Sequence, residues 1–282
     1  MGLRLAALLG CMAASAWADS VSLVADRDNS LFQTVSTIDA SNGAGIYLYS
    51  GLTSGESRRR ALVHFNVAAV VPTGSTINSA TVTLWSDRSI TAPHVFTLHR
   101  ITTAWGEGES DAGDPGGTGA ESAPGDASWN YAVFPTDLWA TEGGDFVATA
   151  SASDTIEGRN EYSVYGPTVG LAADVQAWVD GSAANHGWML LGNEGSPSSA
   201  YRFYSRENAS AIQRPTLMID FTPPAPCVGD LNNDGSIGLT DLSILLANFG
   251  ATGGAAQGDI NNDGQITLSD LAALLAVFGN DC

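Results

Sequence analysis

Lysine is absent from this chain, and cysteine is scarce. The basic and acidic residues number 11 and 30, every basic residue is arginine, and the formal net charge is −19 over 282 residues. Because such an acidic chain repels phosphates and anionic headgroups, we expect no nucleic-acid partner and no docking on anionic membrane. Outside the N-terminal segment no apolar run reaches membrane-spanning length, so the sequence predicts no transmembrane segment.

The N-terminal segment, residues 1–18, contains one arginine, an apolar run and small residues that end in an A-x-A pattern. This order is typical of a secretory signal peptide cleaved near Ala18, which predicts a secreted or cell-surface protein. A lipoprotein modified at Cys11 is the alternative. Once the segment is removed, Cys227 and Cys282 are the remaining cysteines, and in an exported protein we expect them to form a disulfide.

A 22-residue stretch near the C-terminus occurs twice. GDLNNDGSIGLTDLSILLANFG occupies 229–250, and GDINNDGQITLSDLAALLAVFG occupies 258–279, which is 29 residues further along. Each copy has oxygen-bearing side chains at loop positions 1, 3, 5 and 12 and glycine at position 6, close to the pattern of a calcium-binding loop. Position 7 contributes its backbone carbonyl. The ligands predicted for two Ca²⁺ ions are Asp230, Asn232, Asp234, Ser236, Asp241, Asp259, Asn261, Asp263, Gln265 and Asp270.

An apolar run with helical spacing follows each loop. Start and stop signals predict that the two helices begin at Thr240 and Ser269 and end at Gly250 and Gly279. No helical pattern precedes either loop. Each repeat is therefore half of an EF-hand: an F-hand loop and one helix.

This duplicated half-hand resembles a type I dockerin over residues 227–282. The resemblance implies a small all-α, calcium-dependent fold that binds a cohesin domain on a scaffold or surface protein. It also implies cohesin contacts at loop positions 10 and 11, which are Leu239, Thr240, Leu268 and Ser269 here. The module departs from many dockerins because it contains no basic residue.

Residues 19–222 are expected to be mostly β, as a jelly-roll-like β-sandwich with one short helix. Short β-rich runs alternate with Gly, Ser, Asn and Pro, whereas 169–181 has apolar residues at helical spacing. Three prolines near 223–226 predict a stiff linker. The clearest runs begin at Gly45, Ala61, Ser79, His94, Gly187, Tyr201 and Pro215.

The order of these runs, from RDNSLFQ at Arg27 to RPTLMIDF at Arg214, resembles a DNRLRE domain over 19–222. Asp28, Asn29 and Leu31 match the hexapeptide that gives this family its name, and the other three positions differ. The family comprises secreted β-sandwiches related to carbohydrate-binding modules. The resemblance therefore implies association with polysaccharide.

Sugar binding requires flat aromatic platforms and polar side chains, because a pyranose presents apolar C–H faces and hydroxyl edges. Arginines can bind a uronate carboxylate. The same aromatics and arginines can equally belong to the core or to a solvated edge. The candidates are Trp105, Trp129, Tyr131, Trp139 and Tyr165, with Arg58, Arg59 and Arg60.

The sequence favours a secreted, non-catalytic protein whose dockerin attaches a polysaccharide-associated sandwich to a cohesin-bearing or cell-surface assembly. One alternative is a polysaccharide-degrading glycoside hydrolase or lyase that uses loop carboxylates such as Glu107, Glu109, Asp126 and Asp145. Another is a structural or adhesive surface protein in which calcium only stabilises the C-terminal module.

Overall fold

The computed structural model describes residues 18–34, 39–89, 91, 93–224 and 227–282. The chain divides into two compact units, which we call the β unit, up to Pro224, and the C-terminal unit, from Cys227. The predicted signal peptide up to residue 17, and residues 225–226 of the predicted linker, lie outside the described residues. None of the helices in the described ranges has both the length and the apolar character needed to cross a bilayer.

The β unit is mostly β-structure, as predicted, and each of the seven runs singled out in the sequence forms a strand. Further strands lie at its start and in its central third. The strands are β1 (Asp19–Val24), β2 (Arg27–Phe32), β3 (Ala40–Ser41), β4 (Tyr47–Leu52), β5 (Arg58–His64), β6 (Thr76–Ser89), β7 (His94–Arg100), β8 (Ala120–Glu121), β9 (Tyr131–Val133), β10 (Asp137–Leu138), β11 (Ala152–Ile156), β12 (Glu161–Tyr165), β13 (Trp188–Leu191), β14 (Tyr201–Tyr204) and β15 (Thr216–Thr222).

Every strand pair in the unit is antiparallel. The long strand β6 pairs with β15 along its first part, with β14 near its end, and with β12 on its other edge. Strand β4 pairs with both β14 and β5, and the order continues through β13 and β7 to β11. Strand β2 pairs with β5 on the far side from β13. This large, folded antiparallel sheet is consistent with a β-sandwich.

The core of the β unit is formed mainly by side chains of β4 to β7 and of β13 to β15, and a short helix packs against it. The helix α1 (Val169–Val179) buries Leu171, Val175 and Trp178, the face that its helical spacing predicts. The hydroxyl of Thr168 caps its start by accepting from the Leu171 backbone N–H at 3.2 Å. The ring of Trp178 lies 4.5 Å from that of Trp188 in β13.

The C-terminal unit contains two helices, α2 (Leu239–Ala247) and α3 (Leu268–Val277), and a short 3-10 helix at Ala255–Gln257. Both α-helices begin one residue earlier than the sequence predicts. They do so because the aspartate at the third helical position accepts a hydrogen bond from the backbone N–H of the capping residue, Gly238 or Thr267. The small core of the unit consists of Ile237, Leu245, Ile266 and Leu274, with partly buried neighbours.

Candidate functional site

The two loops of the C-terminal unit curl around the aspartate at position 1. In the first loop, Oδ1 of Asp230 accepts from the backbone N–H of Asp234 at 3.2 Å, and Oδ2 accepts from Gly235 at 3.0 Å. Oδ1 of Asn232 also accepts from Asp234, at 2.9 Å. The equivalent bonds of the second loop measure 3.1, 2.9 and 3.0 Å. The two loops therefore have the same conformation.

The backbone of each loop enters the left-handed region twice. Asn233 and Asn262, at position 4, have φ of 57° and 55°, and Gly235 and Gly264, at position 6, have φ of 87° and 88°. Asparagine tolerates this region, and glycine adopts it without steric cost. The glycine at position 6 is thus required by the turn that brings positions 1, 3 and 5 to the inside of the loop.

The carboxylate of Asp241, at position 12, is fully buried and accepts three backbone hydrogen bonds. Its Oδ1 accepts from Leu231 at 2.7 Å and from Asn232 at 3.1 Å, and its Oδ2 accepts from Gly238 at 2.7 Å. Burial alone would raise the pKa of this carboxyl, but the backbone donors outweigh burial and lower the pKa below its usual value. The pKa of Asp270 is lowered by the same balance. Both side chains are therefore charged near neutral pH.

The donor set of each loop fits a hard divalent cation. Three carboxylates, one amide oxygen and a backbone carbonyl are the oxygen ligands that calcium prefers. Among the described residues, two groups of three side chains have ligand atoms that all lie within 4.8 Å of one another. Neither group consists of the three carboxylates of one loop. One of these groups contains Cys227 and Cys282, which are disulfide-bonded and so offer no thiolate ligand.

Each loop is closed by the other repeat. The backbone N–H of Ile237, at position 8 of the first loop, donates to the carbonyl of Asn280 at 2.9 Å, beyond the second helix. The backbone N–H of Ile266, 29 residues later, donates to the carbonyl of Ala251 at 3.0 Å, beyond the first helix. The disulfide between Cys227 and Cys282 joins the two ends of the unit, with Cα atoms 5.5 Å apart. The two repeats are thus joined by backbone hydrogen bonds and by a disulfide.

The residues at loop positions 10 and 11 are all exposed. Leu239 and Leu268 have 74% and 72% of their surface in solvent, which is unusual for leucine, and Thr240 and Ser269 are exposed beside them. Each repeat exposes two further large apolar side chains, one in the last turns of the helix and one just beyond its end. We call these sets the first apolar surface (Leu239, Leu246 and Phe249) and the second apolar surface (Leu268, Leu275 and Phe278).

The tryptophan candidates for sugar stacking are buried in the β unit. Trp105, Trp129 and Trp139 pack in a core cluster with Leu31 and Met189, among others. The indole N–H of Trp105 donates to the carbonyl of His186, and that of Trp139 donates to Ser128, at 2.8 and 2.9 Å. Buried indoles with satisfied N–H groups are packing residues and do not offer an exposed platform.

The two tyrosine candidates differ. Tyr165 is fully buried and belongs to the main core. Tyr131 is half-buried and lines a surface cleft with Asn130, Glu142 and the largely buried Trp139. Of the predicted aromatics, Tyr131 is thus the one whose position is compatible with a ligand contact.

The run of three arginines is divided between the two faces of β5, because successive side chains of a strand point in opposite directions. Arg58 and Arg60 both pair with Glu194, with closest distances of 3.2 and 2.7 Å. Arg59 lies on the other face, over the ring of Phe32 at 4.8 Å. Burial lowers the pKa of Arg59 to about 10. The three guanidinium groups therefore do not form one binding patch.

A second cleft, which the sequence did not indicate, lies on the Arg59 side of the sheet. Its volume is about 380 Å³, and tyrosine and arginine side chains from several strands contribute to its wall. Its lining includes Tyr49, Arg59, Arg88, Tyr201 and Arg202. Arg202 pairs with Asp87, whereas Arg88 forms no ion pair with any residue that the structure describes. No local spacing marks this cleft, because its residues come from strands far apart in the chain.

Two of the carboxylates considered as a possible glycosidase pair, Asp126 and Asp145, take part in hydrogen bonds that fix loops. Asp126 is fully buried and accepts from the backbone N–H groups of Ser110 and Ala123. Asp145 accepts from the backbone N–H groups of Ala140 and Thr141, at 2.9 and 2.8 Å. These bonds give both side chains a structural role.

Asn29, from the partly matched hexapeptide, connects three segments of the β unit. Its Nδ2 donates to Oγ of Ser41 at 2.9 Å and to the carbonyls of Glu107 and Ala127 at 2.8 and 3.3 Å. Its Oδ1 accepts from the backbone N–H of Asn42 at 3.0 Å. The side chain is fully buried, so this part of the motif stabilises the fold.

Neither the protein-family models nor the curated proteins give a match to this chain.

Proposed function

We propose that the C-terminal unit binds two calcium ions and, in that state, attaches the protein to a cohesin-type domain. The observation that carries the calcium proposal is the repetition of one loop conformation 29 residues apart, with the same oxygen side chains at the same positions. Random acidic turns would not agree in hydrogen bonds, φ angles and cap geometry at once.

The charge of the unit supports the same proposal. Its seven aspartates have no basic residue of the unit to balance them. Three of them lie in each loop, so two divalent ions would remove most of the repulsion. Each ion would be bound by positions 1, 3, 5 and 12 and by the carbonyl at position 7, which are the residues that the sequence predicts.

Calcium titration of the whole chain tests this. Isothermal titration calorimetry should show two binding events that depend on the loops, and Asp230→Ala with Asp259→Ala should abolish those two events. Asp281→Asn is the matched control, since it removes a carboxylate of the same unit that lies outside both loops. Two unchanged binding events in the double variant would contradict the assignment.

The two apolar surfaces support a protein partner. Large apolar side chains are exposed at equivalent positions of the two repeats, and such surfaces rimmed by polar residues mark interaction sites. The duplication means that either surface can present the same leucine, hydroxyl residue and phenylalanine to one partner site. The sequence resemblance to type I dockerins favours a cohesin domain as that partner.

Binding to a panel of purified cohesin domains tests the partner proposal. Retention should require calcium. Leu239→Ala or Leu268→Ala alone should reduce binding by less than the double substitution, because the other surface remains. Ile212→Ala is the control: this isoleucine of the β unit is also highly exposed. Calcium-dependent folding with no cohesin binding would favour the purely structural alternative.

We further propose that the β unit binds acidic polysaccharide through the cleft beside Arg88. This exposed arginine is free of ion pairs among the described residues, and it lines the cleft together with Arg202. Arg88→Ala should reduce retention on a uronate-rich polysaccharide, whereas Arg159→Ala, which removes an exposed arginine elsewhere, should not. Release of sugar products from the same polysaccharide would favour the enzyme alternative.

A further inference from the structure

Three carboxylates from distant parts of the sequence meet near the start of β2. Asp28 in β2, Glu107 in the segment after β7 and Glu207 in the turn after β14 each bring an oxygen to within 4.8 Å of the others. Asp28 is 0% exposed, and the two glutamates are half-buried. Burying several carboxylates together is unfavourable unless their charges are balanced.

Arg206 balances only part of this charge. Its Nε and Nη2 donate to the two oxygens of Glu107 at 2.6 and 2.8 Å, and Nε lies 2.9 Å from Oε1 of Glu207. Its backbone N–H donates to Oδ2 of Asp28 at 2.7 Å. One guanidinium faces three carboxylates, which leaves two negative charges when all three are ionised.

Two oxygens of the cluster have no hydrogen-bond donor. Oδ1 of Asp28 and Oε2 of Glu207 are buried and accept no hydrogen bond, whereas Oδ2 of Asp28 accepts one and Oε1 of Glu207 is paired with Arg206. Burial, followed by the charge of Glu207, raises the pKa of Asp28 well above its usual value. A buried acceptor without a donor is rare in folded proteins and indicates a missing partner.

We propose that Asp28, Glu107 and Glu207 form a third calcium site, in the β unit and independent of the two C-terminal loops. A divalent cation would balance the two remaining charges and coordinate the two unpaired oxygens. Oxygens on opposite sides of a calcium ion lie about 4.8 Å apart, since each Ca–O bond is about 2.4 Å, so the observed spacing accommodates the ion.

The chemistry of the cluster favours calcium over other divalent ions. Zinc prefers nitrogen and sulfur ligands, and the cluster provides only carboxylates. Magnesium retains most of its water and demands octahedral geometry, which the fully buried Asp28 does not favour. The ion would cross-link β2 to the segment that contains Trp105 and to the turn that contains Arg206.

The test uses the whole chain with both loops disabled by Asp230→Ala and Asp259→Ala. After chelation and calcium titration, this background variant should bind one ion per chain, and the unsubstituted chain should bind three. Adding Glu207→Gln should remove the last ion, whereas Glu109→Gln, an exposed glutamate of the same segment, should leave it. Calcium should also raise the melting temperature of the β unit in the background variant only while Glu207 is present.

Hydrogen exchange locates the ion even if Glu207→Gln does not fold. In the background variant, calcium should slow exchange of the backbone N–H groups of Asp28 and Arg206, which donate to carboxylate oxygens of the cluster. Absence of any bound ion in the background variant, unchanged exchange at both groups, or preference for zinc or magnesium would overturn the proposal. A proton shared by Asp28 and Glu207 would then explain the unpaired oxygens. If the two loops bind no calcium but the site in the β unit does, the unsubstituted chain and the background variant should each bind one ion.

Discussion

The backbone N–H of Ile237 donates to the carbonyl of Asn280 across 2.9 Å, so a residue beyond the second helix closes the first loop. The equivalent bond, from Ile266 to Ala251, closes the second loop in the same way. Neither loop can therefore be complete in a chain that lacks the other repeat.

Ile237→Ala should destabilise both loops together. The side chain is buried in the small core of the unit, and removing it should lower the free energy of unfolding by about 3 kcal/mol. Chemical unfolding in calcium measures this, and calorimetry should show weaker binding at both sites. Leu246→Ala, on the exposed side of α2, should change the unfolding free energy by less than about 0.5 kcal/mol. Weakening of a single site would argue against mutual closure.

Replacing both Cys227 and Cys282 by serine should lower the stability of the C-terminal unit by about 4 kcal/mol in the chain-entropy model, because the bond closes a loop with a sequence separation of 55. Calcium should recover part of the loss, since ligand binding favours the folded state. The measurement is thermal unfolding with and without chelator. Equal stability of the unsubstituted chain and the double variant in chelator would contradict this expectation.

Asn29→Ala should destabilise the β unit by several kcal/mol. The substitution leaves the buried carbonyls of Glu107 and Ala127 without their donor, at about 1–3 kcal/mol each. Urea unfolding measures the loss of stability, with Asn78→Ala as the control. The control should lose less stability, since the hydrogen bond from Asn78 to Thr222 is exposed. Similar losses in both variants would mean that burial of the Asn29 network contributes little.

The stability of the β unit should depend on the protonation of His64. Burial lowers the pKa of this imidazole more than its hydrogen bond to Asp26 raises it, so the folded state favours the neutral ring. The contribution is fully present above the unfolded pKa of about 6.5 and is lost as the pH falls towards the lowered folded value. Unfolding midpoints measured between about pH 7 and pH 5 should fall less steeply in His64→Gln. An identical pH dependence in the variant would remove His64 as the cause.

The sequence predicts well wherever the determinants are local. The loop positions, the position-6 glycines and the seven strand runs all depend on residues a few positions apart, and the structure has strands at all seven runs. The predicted helix starts were wrong by one residue. Each helix begins earlier because Asp241 or Asp270 accepts a hydrogen bond from the backbone N–H of the capping residue.

The sugar-binding residues could not be predicted from the sequence, because the exposure of a side chain depends on contacts between segments far apart in the chain. Trp105 and Trp129 occur in loop-like sequence, yet these segments fold back over the sheet and bury both rings. Arg58 and Arg59 are neighbours in sequence, and the strand pleat separates them. Asp28 and Glu207 are 179 positions apart, so no motif could indicate that they meet.

The 5.5 Å between the Cα atoms of Cys227 and Cys282 equals the separation of hydrogen-bonded partners across an antiparallel hairpin. A host protein could therefore accept this unit as an insertion at the tip of a hairpin without spreading the two strands. Grafted in that way, the unit would serve as a tag whose two ends join the host protein 5.5 Å apart.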